Sequence, residues 1–374
     1  MHEFIPVNIP SIGELEKEYV LQCLESGWIS SEGPFVERFE TEFSAFLGRQ
    51  HGIAVSNGTA ALDIAIAGLS LGPGDEVILP AFTIISCITQ VVRCGATPVL
   101  VDADALTWNM DVQAIREKIS ERTKAIMVVH IYGLPVDLDP VLELAREFNL
   151  TVIEDSAQAH GLRYRGKLCG SFGDVSTFSF YPNKNITTGE GGMLVTDDSK
   201  LNERFRSLRN LCFRANERFV HDELGWNYRI TNMQAAMGVA QLHRIEQVLI
   251  RKREIGRIYD RLLSDVPGLQ RPCPVTEYAE NHYWVYGLVI NEDLALDAKA
   301  AIQALTQKGI GSRPFFCPMN QQPVLNKMGL FVDTNCPVAE NLYRRGFYIP
   351  SGAGMTNDQL ERSADIVREL MRSL

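Results

Sequence analysis

Short apolar segments rich in Val and Ile alternate with helical patterns between about residues 50 and 200. The apolar segments are EVILP (76–80), TPVLVDAD (97–104), KAIMVVHIYG (124–133) and LTVIEDS (150–156). Helical patterns lie between them, at 84–94, 111–120 and 139–148. Because parallel strands need a crossover connection, this alternation predicts an α/β fold with a mostly parallel sheet and helices on both faces. Two further strand-like segments follow, VSTFSF (175–180) and GMLVTDD (192–198).

The rest of the chain predicts a second, smaller unit. Residues 231–264 form one long helical pattern with Thr231 as its N-cap, and a polar, proline-rich segment follows. Beyond it come a strand-like segment, YWVYGLVI, and helical patterns near 296–308, 337–346 and 356–373. A chain of 374 residues is long enough for two cores. We expect an N-terminal segment near the small domain and the site (1–30), a large domain (31–250) and a small domain (251–374), with the helix near 231–264 linking the domains.

Composition restricts the partners and the compartment. The formal charge of −10 argues against a nucleic-acid surface, which is normally basic. The apolar segments are too short for a membrane span, and the N-terminus lacks the basic and apolar regions of a signal peptide. Eight scattered cysteines form no C-x-x-C pair, so we expect them to be reduced and to hold no metal. These features predict a cytoplasmic protein that binds neither nucleic acid nor membrane.

Polar residues follow the predicted strands, where a sheet of this kind binds its ligands. TVIEDSAQAHG and TFSFYPNK place there Glu154, Asp155, Gln158, His160, Ser179 and Lys184. An aspartate at a strand end either caps a turn or faces a cationic group of a ligand. A lysine in a partly buried polar loop is either an ion-pair partner or an amine of lowered pKa that is suited to Schiff-base chemistry.

A turn of small residues, VSNGTAAL (55–62), leads into a helix that begins near Thr59. Backbone N–H groups and the positive end of the helix dipole suit a phosphate there, although Asn57 or Thr59 as an ordinary cap explains the turn equally well. Neither this turn nor TGEGGM has the glycine spacing of a dinucleotide site or a P-loop. A phosphate site, a strand-end carboxylate and a loop amine together match the needs of pyridoxal phosphate.

Longer motifs resemble one enzyme family over nearly the whole chain. They include WISSEGPFVERFE, VSNGTAALDIAI, GDEVILPAFT, GATPVLVDAD, VIEDSAQAHG, FSFYPNKNITTGEGGM, GWNYRITNMQAAMGVAQL and GSRPFFCPM. The sequence is thereby similar to the nucleotide-sugar aminotransferases of the DegT/DnrJ/EryC1/StrS family, within the fold-type I pyridoxal-phosphate enzymes. The resemblance implies a homodimer with shared active sites, and a large domain with a mixed, mostly parallel sheet beside a smaller α+β C-terminal domain.

The resemblance also implies a substrate class. TWNMD, HIYGLPVDLDP, ITTGEGGM and NYRITNMQAA are similar to members that convert GDP-4-keto-6-deoxymannose to its 4-amino sugar with L-glutamate as amino donor. Another keto sugar, such as a UDP- or dTDP-linked hexose, a keto-octulosonate or an inosose, is the alternative, and a non-catalytic regulator that binds the cofactor is a further one. Related dehydratases carry histidine in place of Lys184, so this lysine favours amino transfer.

Residue roles carry over from the family as implications of the resemblance. Lys184 would bond the cofactor and shuttle a proton, and Asp155 would pair with the ring nitrogen. The other cofactor contacts would be Gln158 to the ring hydroxyl oxygen, Gly58, Thr59 and Ser179 to the phosphate, and Asn227 from the partner subunit.

Substrate contacts follow in the same way. Ser30, Arg229 and Arg313 lie in segments that line the sugar-nucleotide cleft of relatives, Arg229 again from the partner, although each arginine also suits a surface ion pair. His160 either contacts substrate or packs behind the cofactor. Relatives often place an aromatic residue on the pyridine ring where this chain has Ile84, so either Ile84 or the nearby Phe82 covers the ring.

Overall fold

A computed structural model gives the fold and describes residues 3–214, 216–217 and 219–372. Its helices are α1 (Glu14–Ser26), α2 (Pro34–Leu47), α3 (Gly58–Gly68), α4 (Ser86–Arg93), α5 (Leu138–Phe148), α6 (Ser199–Arg209), α7 (Asn232–His243), α8 (Ile245–Leu262), α9 (Ala298–Gln307), α10 (Pro323–Lys327), α11 (Pro337–Arg345) and α12 (Asn357–Arg372). Its strands are β1 (His51–Val55), β2 (Glu76–Pro80), β3 (Thr97–Val101), β4 (Thr123–Val129), β5 (Thr151–Asp155), β6 (Arg163–Tyr164), β7 (Lys167–Leu168), β8 (Val175–Ser179), β9 (Gly192–Thr196), β10 (Leu269–Gln270), β11 (Tyr286–Ile290), β12 (Arg313–Pro314) and β13 (Gly346–Ile349).

Seven strands form the large sheet in the order β1-β9-β8-β5-β4-β2-β3. The five strands from β8 to β3 run parallel, whereas β9 is antiparallel to both β8 and β1. Alternate side chains serve the two faces: Val77 and Leu79 pack with α3 and α4, while Ile78 packs with α5. The predicted α/β class with a mixed, mostly parallel sheet flanked by helices is confirmed.

The second sheet has the antiparallel order β10-β11-β13-β12. Its buried face packs against α8, α9 and α12 through residues such as Tyr259, Leu305 and Leu360. Ile5 lies in the same cluster, and its N–H donates to the Gly309 carbonyl oxygen at 2.9 Å. The start of the N-terminal segment therefore packs with the small sheet; the domain boundaries given above stay a prediction. No helix within the described ranges is both long and apolar enough to cross a membrane.

Two helical predictions are wrong in detail. The pattern at 111–120 forms two short 3-10 turns, Val112–Ala114 and Arg116–Lys118, because Ile119 is already extended as the chain turns toward β4. The pattern at 231–264 is broken at Arg244, whose φ of −109° and ψ of 6° leave the helical region. The Arg244 guanidinium pairs with the buried Glu16 of α1 at 2.7 Å. That contact holds the junction at which α7 gives way to α8.

Candidate active site

Glu154 and Asp155 are neighbours at the end of β5 and have different surroundings. Glu154 is fully buried and accepts hydrogen bonds from the N–H groups of Phe172 and Gly173, both at 3.0 Å. His130 Nε2 lies 2.9 Å from the Glu154 carboxylate, and His130 Nδ1 accepts from the Val136 N–H, so the proton is on Nε2. Burial alone would raise the pKa of Glu154, but His130 and backbone N–H groups lower it to about 2. Glu154 is thus an anion at neutral pH and holds the backbone after β5.

Asp155 faces a cavity instead. Its Oδ1 accepts from the Ala157 N–H at 2.9 Å, and its Oδ2 accepts from the Cys87 thiol at 3.2 Å. The residue is 2% exposed, and burial raises its pKa in spite of these donors and the nearby Lys184. A carboxylate held in this way at a cavity wall is suited to pair with a ligand cation that enters the cavity.

Lys184 lies in the loop after β8, opposite Asp155 in the same cavity. Its Nζ is 3.6 Å from the centroid of the Trp284 ring. Burial lowers the pKa of Lys184 to about 7, with Asp155 and Cys87 opposing the shift. An amine with this pKa is neutral in an appreciable fraction at neutral pH, so it can act both as a nucleophile and as a base.

The turn between β1 and α3 forms another part of the wall. Asn57 Oδ1 accepts from the Ala60 N–H at 2.8 Å, so Asn57 is the helix cap. A Cβ at Gly58 would lie 2.6 Å from Ser179 Cβ, so the close approach of these two segments requires glycine. Thr59 Oγ1 and Ser86 Oγ are 2.8 Å apart. Hydroxyl groups therefore surround the positive end of α3, which is the environment that a phosphate requires.

A cavity of about 660 Å³ brings together six of the predicted site residues: Gly58, Thr59, Asp155, Gln158, Ser179 and Lys184. Gln158 Oε1 accepts from the Tyr132 N–H at 2.7 Å, which leaves the Gln158 NH₂ group to donate to a ligand oxygen. Ile84 also lines the cavity and is 45% exposed, whereas Phe82 is 1% exposed and packs against Tyr132 and Phe315. Of the two candidates for covering a ring, the cavity contains Ile84.

The remaining predicted residues lie outside the described lining of this cavity. His160 is 1% exposed and packs against the rings of Phe178 and Phe180 behind the wall. Burial and the nearby Lys184 lower its pKa to about 3. Arg313 is exposed on β12 opposite Tyr348, and Tyr348 does line the cavity.

Asn227 and Arg229 flank a residue that faces the other way. Tyr228 lines the cavity, and its hydroxyl donates to Asp63 at 3.2 Å. Arg229 Nε donates to Asn227 Oδ1 at 2.9 Å, and Arg229 lines a separate, smaller cavity together with Ser31; its neighbour Ser30 is exposed. Side chains point alternately to the two sides of an extended segment. Because Tyr228 points into the cavity, Asn227 and Arg229 on either side of it point away from the cavity.

Several contributors to the site come from outside the predicted motifs. Cys87 was expected only to be reduced and to hold no metal, and Trp284 was predicted to be part of a strand that in fact begins at Tyr286. Aromatic and cysteine residues are common in cores, so neither has a local signal of function. A pairing between distant segments, which the sequence does not display, is what brings them to Asp155 and Lys184.

Pyridoxal phosphate fits the groups that line the cavity. The amine of Lys184 and the carboxylate of Asp155 match its aldehyde and its ring nitrogen, and the start of α3 matches its phosphate. Thr177 Oγ1 is buried in the same wall and has no hydrogen-bond partner among the described residues, so a polar atom there still awaits one. The site thus supplies each group that the cofactor needs.

Comparison with known proteins agrees with this geometry. Residues 10–368 match the model of the DegT/DnrJ/EryC1/StrS aminotransferase family. The chain is 42% identical to a GDP-perosamine synthase of Caulobacter vibrioides, covering 96% of both chains, and 40% identical to one of Escherichia coli O157:H7, covering 98% of both. Its fold is similar to that of PseC, an aminotransferase of pseudaminic acid biosynthesis from Helicobacter pylori, with a TM-score of 0.94, 26% identity and complete coverage of both chains. The chain therefore belongs to the DegT/DnrJ/EryC1/StrS aminotransferase family and is a pyridoxal-phosphate enzyme.

Proposed function

We propose that this enzyme transfers the amino group of L-glutamate to the C4 carbonyl of GDP-4-keto-6-deoxymannose, as in GDP-perosamine synthesis, in the cytoplasm. The observation that carries the proposal is the Lys184–Asp155 arrangement in one cavity, in a chain whose relatives named GDP-perosamine synthase match it over nearly its whole length. The names of those relatives supply the choice of nucleotide and sugar.

Lys184 is the reactive amine in this proposal. Its Nζ would hold the cofactor while no substrate is bound. Once free, the same amine would remove the proton from the α carbon of the donor. On the sugar the same amine carries the proton in the reverse direction, to C4 of the hexose. The bound cofactor supplies an electron sink for the carbanion that each proton removal creates.

The other cavity residues hold the cofactor in place for that transfer. The Asp155 carboxylate keeps the ring nitrogen protonated, and the Gln158 NH₂ group donates to the ring hydroxyl oxygen. Gly58, Thr59 and Ser179 bind the phosphate at the start of α3, and Ile84 covers one face of the ring. Tyr348 in the cavity wall is paired with Arg313 of β12, and the exposed Arg313 guanidinium suits the diphosphate of the substrate.

A homodimer with shared sites completes the proposal. Asn227 and Arg229 alternate with the inward-facing Tyr228 and lie outside the lining of their own cavity, which supports a role for them in the site of a neighbouring subunit. We assign Asn227 to the cofactor phosphate of the partner site, and Ser30 and Arg229 to the substrate there. His160 supports the wall behind the cofactor from its buried position.

The test is a set of half-reactions with purified protein. A visible absorbance band that borohydride bleaches, and that is absent from Lys184→Ala, is expected for the cofactor bond. L-glutamate should convert the cofactor to its amine form, and GDP-4-keto-6-deoxymannose should convert it back. Asp198→Asn, at the exposed start of α6, is a control that should behave like the parent. Turnover of a UDP- or dTDP-linked keto sugar without turnover of the GDP-linked one would overturn the substrate assignment.

A further inference from the structure

We propose that Trp284 is a positioning residue for Lys184: its ring face contacts the free amine and stabilises the ammonium form relative to the neutral one, and its indole N–H holds the loop that carries the lysine. This inference rests on the proposed role of Lys184 as the amine that bonds the cofactor. It connects a residue from the second half of the chain with Lys184 and Asp155, which lie at or just after the ends of strands of the large sheet.

The first support is the position of the amine itself. Lys184 Nζ lies 3.6 Å from the centroid of the Trp284 ring, well inside the distance at which a cation is attracted to an aromatic face. Trp284 is 5% exposed, so water has little access to this side of the amine. An indole ring is the strongest of the natural aromatic faces for this contact.

The second support is the way in which the lysine loop is held. Trp284 Nε1–H donates to the Asn183 carbonyl oxygen at 2.8 Å, directly before Lys184. The Asn8 amide donates to the Pro182 carbonyl oxygen at 3.2 Å, and Asn185 lies 3.3 Å from His282 Nε2. Three residues of the loop are thus held by side chains from the N-terminal segment and from 282–284, and Trp284 is the one that reaches both the loop and the amine.

The backbone fixes Trp284 in turn. Gly133 has a φ of 105°, and a Cβ there would lie 2.5 Å from the Trp284 backbone nitrogen. The Gly133 carbonyl oxygen accepts from the His282 N–H at 2.9 Å. The segment 282–284 is therefore docked closely on the loop after β4, and the indole has a defined position rather than a mobile one.

Transamination explains why a contact between the Trp284 ring and the Lys184 amine would be useful. Lys184 must be neutral when it removes a proton and positively charged before it returns one. Asp155 at the end of β5 and Cys87 on α4 lie near the amine, His160 lies behind the wall, and Lys252 lines a second, smaller cavity together with Lys184. A ring face stabilises the ammonium form less strongly than a second carboxylate would, so both forms of the amine remain accessible near neutral pH.

The test measures the pKa of Lys184 directly in full-length protein freed of cofactor. Competitive labelling with acetic anhydride across pH, read by mass spectrometry of the Lys184 peptide, gives this pKa without any turnover. Biosynthetic replacement of tryptophan by fluorotryptophans weakens the ring face while it preserves shape. We expect the pKa of Lys184 to fall stepwise with each added fluorine, by about 0.5 to 1.5 units in total. Lys308, which is paired with Glu369 at the surface, is the internal reference, and its labelling should be the same throughout the series.

Substitutions of Trp284 distinguish the contact of its ring with the amine from the hydrogen bond of its N–H to the loop. Trp284→Phe keeps a ring but loses the N–H, so it should shift the pKa less than Trp284→Met, which loses both. An unchanged Lys184 pKa across the fluorinated series, or a higher pKa in Trp284→Met, would overturn the proposal. Failure of the proposed function would look different, since a Lys184→Ala protein would then still form the borohydride-sensitive bond with pyridoxal phosphate.

Discussion

The Cys87 thiol donates to Asp155 Oδ2 at 3.2 Å, inside the buried wall of the active-site cavity. The thiol reaches Asp155 from the first turn of α4, a crossover helix of the large sheet. Burial and the neighbouring carboxylate raise the pKa of Cys87 well above its ordinary value, so the thiol keeps its proton and remains a donor. The carboxylate is thereby fixed from two sides, by Ala157 and by Cys87.

Removing this donor should loosen the cofactor. Cys87→Ala leaves Asp155 with one hydrogen bond fewer, and the loss of about 1 kcal/mol should weaken the binding of pyridoxal phosphate by about fivefold. Cys87→Ser keeps a donor in the same place and should remain close to the parent. Absorbance titration of cofactor-free protein measures both. Equal losses in the two variants would mean that cavity volume, and not the hydrogen bond, is what matters.

Substitution of the two adjacent carboxylates of β5 should affect different properties, activity for Asp155 and folding stability for Glu154. Asp155→Asn keeps the shape of the side chain but removes the charge that pairs with the ring nitrogen, so we expect activity to fall by at least about one hundredfold with little change in melting temperature. Glu154→Gln removes a buried anion from its donors and should lower the free energy of unfolding by about 3 kcal/mol. Thermal melts and steady-state rates on both variants distinguish the two roles.

Acid should destabilise the folded protein through protonation of Glu154. The pKa of Glu154 in the folded protein is about 2, below its ordinary value of 4.5. Because the pKa is lower in the folded protein, ionised Glu154 stabilises the fold at every pH above its pKa in the unfolded chain. This stabilisation is lost as the pH falls from about 4.5 toward 2. Urea denaturation across this range should show a steeper loss for the parent than for Glu154→Gln. Parallel curves for the two proteins would contradict the anchoring role.

How far the sequence predicts this site depends on the range of each contact. The strands before Asp155 and Ser179 are visible as apolar segments, and the rule for carboxyl ends then places these residues and Lys184 at one edge of the sheet. The strand pattern leaves open which of Glu154 and Asp155 faces the cavity, because that choice depends on how the strand lies between its neighbours; only the family resemblance selects Asp155. Trp284 reaches Lys184 across a separation of 100 residues, and no local pattern indicates such a contact.

The same distinction applies to the helices. The 231–264 pattern is continuous in its periodicity, and at the point where the helix breaks Arg244 pairs with Glu16, more than 200 residues away. Local periodicity therefore predicted most elements, whereas contacts between distant segments determined where this one ends.

The covering of the cofactor ring yields a further prediction. Ile84→Ala removes apolar surface from the cavity wall, and we expect about fivefold weaker binding of pyridoxal phosphate with a change in folding stability of no more than about 0.5 kcal/mol. Phe82→Ala empties a core position between Tyr132 and Phe315 and should cost about 3 to 5 kcal/mol of stability. Titration and thermal melts on both variants test this separation. A stable Phe82→Ala protein with weakened cofactor binding would instead assign the ring contact to Phe82.

The lowered pKa of Lys184 predicts the pH dependence of cofactor loading. Only the neutral amine attacks the aldehyde, so the rate of covalent attachment to cofactor-free protein should rise about tenfold per pH unit below pH 7 and level off above it. Stopped-flow absorbance follows the reaction. A rate that still rises steeply at pH 9 would show that the amine titrates near the ordinary value for lysine.

Shared active sites predict that two inactive variants restore each other. Lys184→Ala disables the cavity of its own chain, whereas Arg229→Ala should disable the cavity of its partner, because Arg229 lies outside its own cavity lining and next to the inward-facing Tyr228. A heterodimer of the two variants then contains one site with both defects and one with neither. Differently tagged chains, co-expressed and purified through both tags, should show about half of the parent activity, since one of the two sites of a symmetric dimer is intact.

The matched control is a heterodimer of Lys184→Ala with Asp155→Asn. Because each substitution disables the cavity of its own chain, this heterodimer should remain inactive. Absence of recovery in the first heterodimer, with both tags present, would mean that each chain carries a complete site and that Arg229 acts elsewhere.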